Sequence, residues 1–150
     1  MAIEPGRGDL LRADVDAVVN PVNTVGVMGK GLARQVRDAF PDVFAAYAAA
    51  CARGEVTVGR VHVVVRSTPP RWVLNLPTKT HWRQPAQLGH VRAGLVDLIA
   101  QVRALELGSI AVPALGCGLG GLAWDDVRPL IVDAFAAVPA VRVVLFAPTG

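Results

Sequence analysis

Short β-branched runs alternate along this chain with longer segments of helical periodicity, and that alternation restricts it to a layered α/β domain. Strands are predicted over Ala17 to Asn20, Arg60 to Val65, Trp72 to Leu76, Ser109 to Val112 and Arg142 to Phe146. Helices are predicted over Gly31 to Phe40, Asp42 to Arg53, Pro85 to Leu105 and Trp124 to Val138. In the third helix Leu88, Val91, Leu95, Leu98, Ile99, Val102 and Leu105 fall on one stripe, which marks a core face. Pro69-Pro70 reads as a tight connection between neighbouring strands. With 150 residues, 53% of them apolar, the chain can bury one proper core without a metal or disulfide staple. We expect a single domain over residues 1–150, and the last strand, running almost to the end, suggests a domain excised from a longer chain.

The charge balance of +3 is too small to announce a nucleic-acid partner by itself, although a local basic patch remains compatible with it. Cys51 and Cys117 stand far apart, without the Cys/His spacing of a zinc site or a disulfide framework, so no metal is expected. The opening residues lack a secretory signal and no apolar run has membrane-spanning length, which leads us to expect a cytoplasmic protein.

Ligands of open α/β sheets sit beyond the carboxyl ends of the strands, so the segments that follow strands carry the functional information. Three are unusual. From Asn20 to Ala33, two asparagines and a glycine-spaced loop lead into a helix, an arrangement that suits a phosphate or a sugar ring. Glycine spacing alone fits an ordinary loop with capping asparagines equally well, and it matches neither the GxGxxG fingerprint nor a Walker loop. From Pro113 to Leu122, four glycines within six residues follow a buried strand and can present consecutive amides to a diphosphate. Cys117 lies inside that loop without a His or acid at an activating spacing, and reads as a packed or simply small residue.

The third segment, Asn75 to Pro85, gathers Lys79, His81, Trp82 and Arg83 directly after a strand. A lysine beside a desolvated pocket can attack a sugar anomeric carbon, while Trp and Arg offer stacking and phosphate contacts to a nucleic acid. A solvated polar connector ahead of a helix is the plainer reading of the same residues. Lys30 and Lys79 are the only lysines among fifteen basic residues, so each stands out in its motif.

Taken together, Gly8-Asp9-Leu10, the Asn20 to Ala33 loop and the Gly116 to Leu122 loop resemble the macrodomain family, in an order that covers nearly the whole chain. The resemblance implies a three-layer α/β/α sandwich around a mixed central sheet, with ADP-ribose lying across the strand ends. It implies that Asp9 accepts from the adenine amino group, with the Leu10 amide nearby and Phe146 against the ring. Asn23 and the segment Gly29, Lys30, Gly31, Leu32 and Ala33 would hold the distal ribose. Gly116, Cys117, Gly118, Leu119, Gly120 and Gly121 would cradle the diphosphate, and Asn20, Thr24, Met28, Thr78 and Pro113 would complete the ADP-ribose site. No cofactor is implied.

Met28-Gly29-Lys30-Gly31, Thr78-Lys79 and Gly116-Cys117-Gly118-Leu119 look like the branch that contains human terminal ADP-ribose glycohydrolase and the bacterial DarG antitoxins. In that branch the lysine matching Lys79 is catalytic. The human relative also uses an acid just after its Gly-Cys-Gly-Leu motif, where this sequence has Gly120, whereas the strings Asn-Pro-Val-Asn and Gly-Leu-Gly-Gly-Leu look closest to DarG. That resemblance implies a glycohydrolase that removes ADP-ribose from thymidine in single-stranded DNA and so reverses a DarT-type toxin, its cognate partner. Lys79 would attack or protonate at the distal ribose, and His81, Trp82 and Arg83 would meet the DNA. A reader that binds ADP-ribose without turnover, and a hydrolase of protein-linked or acetylated ADP-ribose, stay open at this point. Lys79 separates them.

Overall fold

The computed structural model describes residues 2–149. Its strands are β1 (Ala2–Pro5), β2 (Ala17–Val22), β3 (His62–Val65), β4 (Trp72–Pro77), β5 (Ser109–Val112) and β6 (Arg142–Leu145). The helices are α1 (Gly31–Ala39), α2 (Pro41–Ala52), α3 (Leu88–Ala104) and α4 (Trp124–Phe135), with a 3-10 turn at Leu10–Arg12. The sheet order is β1-β6-β5-β2-β4-β3, parallel throughout except for β3, which runs antiparallel on β4.

Each face of the sheet carries its own core. Side chains alternate across a strand, so Val19, Leu74, Leu76, Ile110 and Val143 meet α3 and α4 through Val91, Leu95, Leu98, Val127, Ile131 and Phe135. Val18, Val73, Ala111 and Val144 point the other way, onto Val36 of α1 and Val43, Tyr47 and Ala50 of α2. Sequestration on both faces explains why the central strands read as largely apolar runs, broken in β2 and β4 only by Asn20 and Asn75, rather than as alternating ones. The expected three-layer α/β/α sandwich with a mixed sheet is the observed architecture.

Several boundaries differ from the expected ones. β2 continues past Asn20 to Val22, because the Asn20 side chain finds a buried partner on β4 instead of ending the strand. β3 begins at His62, since Arg60 closes a turn onto Thr57 and the Val61 amide donates to the Asp97 carboxylate. α3 begins at Leu88 rather than Pro85, because the amides of Ala86 and Gln87 are bonded to Gly120 and Thr78. β6 stops at Leu145 and α4 at Phe135, with 136–137 forming a turn. The sequence reading also lacks β1, an edge strand defined by its pairing with β6, and the 3-10 turn that Asp9 caps.

This topology positions the site. From neighbouring strands β2 and β5 the chain leaves in opposite directions, to α1 on one face and to α4 on the other. A crevice opens at such a switch point.

Candidate functional site

The parallel strands β1, β6, β5, β2 and β4 all deliver their carboxyl ends to one edge of the sheet, and the segments 6–9, 146–149, 113–123, 23–30 and 78–87 line it. The three unusual loops are thereby brought together, with the Asp9 and Phe146 segments beyond them on the β1 side. No Asp or Glu occurs over residues 17–37, 56–96 or 107–124, so all three loops are free of carboxylates. An anionic group that lies on these three loops meets no like charge from their own side chains.

The loop after β2 is held from beneath. Asn23 is buried; its side-chain amide donates to the Val27 carbonyl at 2.8 Å, and its oxygen accepts from the Val25 amide at 3.0 Å. The Tyr47 hydroxyl, fully buried on α2, reaches that same oxygen at 2.7 Å. Burial pushes the Tyr47 phenol well above its ordinary range, so it remains a donor. Asn23 therefore shapes the loop from inside. Beyond it Gly29, Lys30 and Gly31 are exposed and no side chain caps α1, which leaves first-turn amides available to an anion.

Two residues of this stretch face elsewhere. Asn20 is 0% exposed inside β2, and Met28, 1% exposed, packs into the core beneath α1 and α2, so neither side chain reaches the cleft. Burial of the Met28 thioether among apolar side chains outweighs presenting it to a polar ligand. Leu32 and Ala33 are half-buried on the first turn of α1.

The loop after β5 closes on itself through Leu122 amide to Gly116 carbonyl, 2.8 Å, and Gly121 amide to Gly118 carbonyl, 3.2 Å. Gly116 has φ +71, and a methyl group on Gly120 would sit 2.7 Å from the Ala86 methyl, so both positions require glycine. Gly118, Leu119 and Gly121 stand exposed, while Pro113 and Gly116 are buried behind them. A Cβ built on Gly31 would lie 3.4 Å from the Leu119 side chain, so the two glycine loops meet. The Cys117 thiol points at the Leu115 carbonyl, 3.6 Å away, and burial pushes its pKa up. A protonated thiol is a poor nucleophile.

The loop after β4 lies against both. Thr78 is 3% exposed; its amide donates to the Val22 carbonyl at 3.0 Å and its carbonyl accepts from Gln87 at 3.2 Å. Next to it Lys79 is half-buried, with Nζ 3.4 Å from the Trp82 carbonyl. His81 stacks on Trp82, ring centroids 5.3 Å apart, and the Arg83 guanidinium lies 4.6 Å from the Trp82 ring centre. Trp82 is nonetheless 42% exposed. At the far end of the edge Asp9 accepts from the Leu11 amide at 2.9 Å, Leu10 is buried, and the Phe146 ring covers Gly6.

The family model described as Macro domain matches residues 19–131, a span that contains all three loops. The chain is a macrodomain. A curated relative from Mycobacterium tuberculosis named "DNA ADP-ribosyl glycohydrolase" is 51% identical to it over 147 residues, which are 97% of this chain and 42% of that protein. This macrodomain thus spans about two fifths of the length of the curated relative it matches. The solved macrodomain of Mycobacterium tuberculosis DarG superimposes with a TM-score of 0.96 at 50% identity, over 98% of each chain. The structure of Thermosipho africanus DarTG in complex with ADP-ribose superimposes with a TM-score of 0.92 at 33% identity, over 98% of this chain and 42% of that one.

Sequence reasoning found the loops but missed two features of the macrodomain cleft. One is the absence of carboxylates from its three loops, which a tally of acidic positions reveals. The other is the tie between Thr24 and Thr80, which pairs residues far apart in sequence and leaves no local signal.

Proposed function

We propose that this macrodomain is a glycohydrolase that removes ADP-ribose from thymidine in single-stranded DNA, reversing a DarT-type DNA ADP-ribosyltransferase in the cytoplasm, with Lys79 as the reactive residue. The observation that carries the reading is the position of Lys79. Backbone bonds bracket it on both sides, Thr78 to Val22 and Thr24 to Thr80, and fix it beside the loop that leads into α1. The relatives, a DNA ADP-ribosyl glycohydrolase and a DarTG in complex with ADP-ribose, support DNA-linked ADP-ribose as the substrate class and a DarT-type partner.

In this reading Asp9 and Phe146 take the adenine, the Gly116–Gly121 loop takes the diphosphate, and the exposed Gly29–Gly31 backbone takes the distal ribose. The Lys79 amine attacks the ribose anomeric carbon as the bond to the thymine nitrogen breaks, and that nitrogen takes up a proton. Water then adds at the anomeric carbon, restoring the amine and releasing ADP-ribose. Trp82 stacks a neighbouring base while Arg83 pairs with phosphate.

The test is release of ADP-ribose from a thymidine-ADP-ribosylated single-stranded oligonucleotide, set beside an ADP-ribosylated protein. Clearance of the oligonucleotide supports the reading. Clearance of the protein alone moves the substrate class, and binding of ADP-ribose without release from either makes the domain a reader.

A further inference from the structure

After Thr78 the chain leaves the sheet and does not return until Ala86, whose amide bonds to Gly120, and Gln87, whose amide bonds to Thr78. Most hydrogen bonds in between are local: Gln84 amide to His81 carbonyl at 3.0 Å, Arg83 amide to the His81 ring at 3.1 Å, Thr80 hydroxyl to the Gln84 side chain, and Lys79 to the Trp82 carbonyl. Local bonds hold a turn's shape without fixing where the turn sits.

One residue supplies that attachment among the described residues. The Thr24 amide and the Thr24 hydroxyl both donate to the Thr80 carbonyl, at 3.2 Å and 2.7 Å, one for each lone pair. Thr24 is itself set rigidly, because the preceding Asn23 is clamped by Tyr47 and by its bonds to Val25 and Val27. Hydrogen bonds from Tyr47 to Asn23 and from Thr24 to Thr80, joined by the Asn23–Thr24 peptide link, thus connect the core of α2 to the residue that follows Lys79.

We propose that Thr24 is a positioning residue for the reaction, holding Lys79 in place through the Thr80 carbonyl rather than by binding ADP-ribose. The proposal rests on the reading of Lys79 as the reactive group. It also accounts for a threonine at a half-exposed turn position, where its hydroxyl proton is committed to protein. Serine can make the same bond, whereas alanine or valine cannot.

The experiment compares Thr24→Ser, Thr24→Ala and Thr24→Val with the unaltered protein, in release of ADP-ribose from the modified oligonucleotide and in calorimetric binding of free ADP-ribose. Hydrogen exchange of the 79–84 amides reports whether the loop has loosened. For Thr24→Ala and Thr24→Val, kcat is expected to fall at least roughly fivefold, with KM and the ADP-ribose Kd unchanged and exchange over 79–84 faster. Thr24→Ser is expected to keep both kcat and protection. A kcat unaffected in Thr24→Ala overturns the proposal, as does a loss of ADP-ribose affinity that matches the loss of rate, which would make Thr24 a ligand contact. Failure of the unaltered protein to clear any oligonucleotide overturns the underlying reading and is visible without the variants.

Discussion

The Asn20 side-chain amide donates to the side-chain oxygen of Asn75 at 2.9 Å, and neither residue has any exposure to solvent. The Asn75 amide in turn reaches His62 Nδ1 at 3.1 Å, so one polar row crosses β2, β4 and β3 at the register that pairs these residues. All three asparagines of the chain are buried, and two of them form this row three residues upstream of the loops that begin with Asn23 and Thr78. A buried amide is costly unless bonded. Asn75→Ala leaves the Asn20 amide unmatched in the core, and should lower stability by about 2–3 kcal/mol in denaturant unfolding. A midpoint within experimental error of the unaltered protein would show that the row contributes nothing.

The pH dependence follows from the same row. Burial holds His62 below its ordinary pKa of 6.5; Arg53 and Arg60 push the same way and Glu55 opposes them. Above that value the ring is neutral in both states and has no effect. Below it the unfolded chain gains a proton that the folded protein resists, so stability falls as the pH drops. A protonated ring would also lose its Nδ1 acceptor for Asn75. The stability difference between the unaltered protein and His62→Gln should therefore shift against the unaltered protein as pH falls below 6.5, and a difference constant with pH would rule this out.

Of the two central glycines of the β5 loop, Gly120 should be sensitive to alanine and Gly118 should not. A Cβ on Gly120 would come within 2.7 Å of the Ala86 methyl and close on the Gly116 carbonyl, whereas one on Gly118 meets nothing within 4 Å among the described residues. Gly120→Ala is expected to weaken ADP-ribose binding by more than roughly tenfold, through displacement of the amides that face the diphosphate. Gly118→Ala should stay within about twofold by calorimetry, as open space predicts. Equal affinities for the two variants would place the diphosphate elsewhere.

Trp82 carries the DNA side of the account. Its exposed ring, flanked by His81 and Arg83, offers a base-stacking platform outside the ADP-ribose cleft. Trp82→Ala should weaken binding of a modified oligonucleotide by roughly five- to a hundredfold while leaving free ADP-ribose untouched, measured by fluorescence anisotropy and calorimetry respectively. Parallel losses on both ligands would mean that the indole supports the loop instead.

Much of this was legible in the sequence, for identifiable reasons. β2, β4 and β5 announce themselves because burial on both faces demands short, mostly apolar runs, and α3 because Leu88, Val91, Leu95, Leu98, Ile99 and Val102 share a stripe. The glycine loops are legible since few other residues tolerate such turns. What escaped depends on partners distant along the chain. β1 owes its existence to β6, the extension of β2 to a hydrogen bond 55 residues away, and the late start of α3 to carbonyls on two other loops. The orientation of Met28 toward the core and of Asn23 toward Tyr47 likewise follows from packing that local spacing cannot encode.

Lys79 is the centre of the account, and one comparison tests it most directly: single-turnover release of ADP-ribose from a thymidine-ADP-ribosylated oligonucleotide by the unaltered protein and by Lys79→Ala, with ADP-ribose affinity measured on both. Among the described residues the Lys79 amine makes one hydrogen bond, to the Trp82 carbonyl of its own loop at 3.4 Å, so its loss should leave the fold and the affinity intact. The account predicts near-equal binding and a release rate reduced by at least roughly a hundredfold in the variant. Release by Lys79→Ala at the rate of the unaltered protein would contradict it.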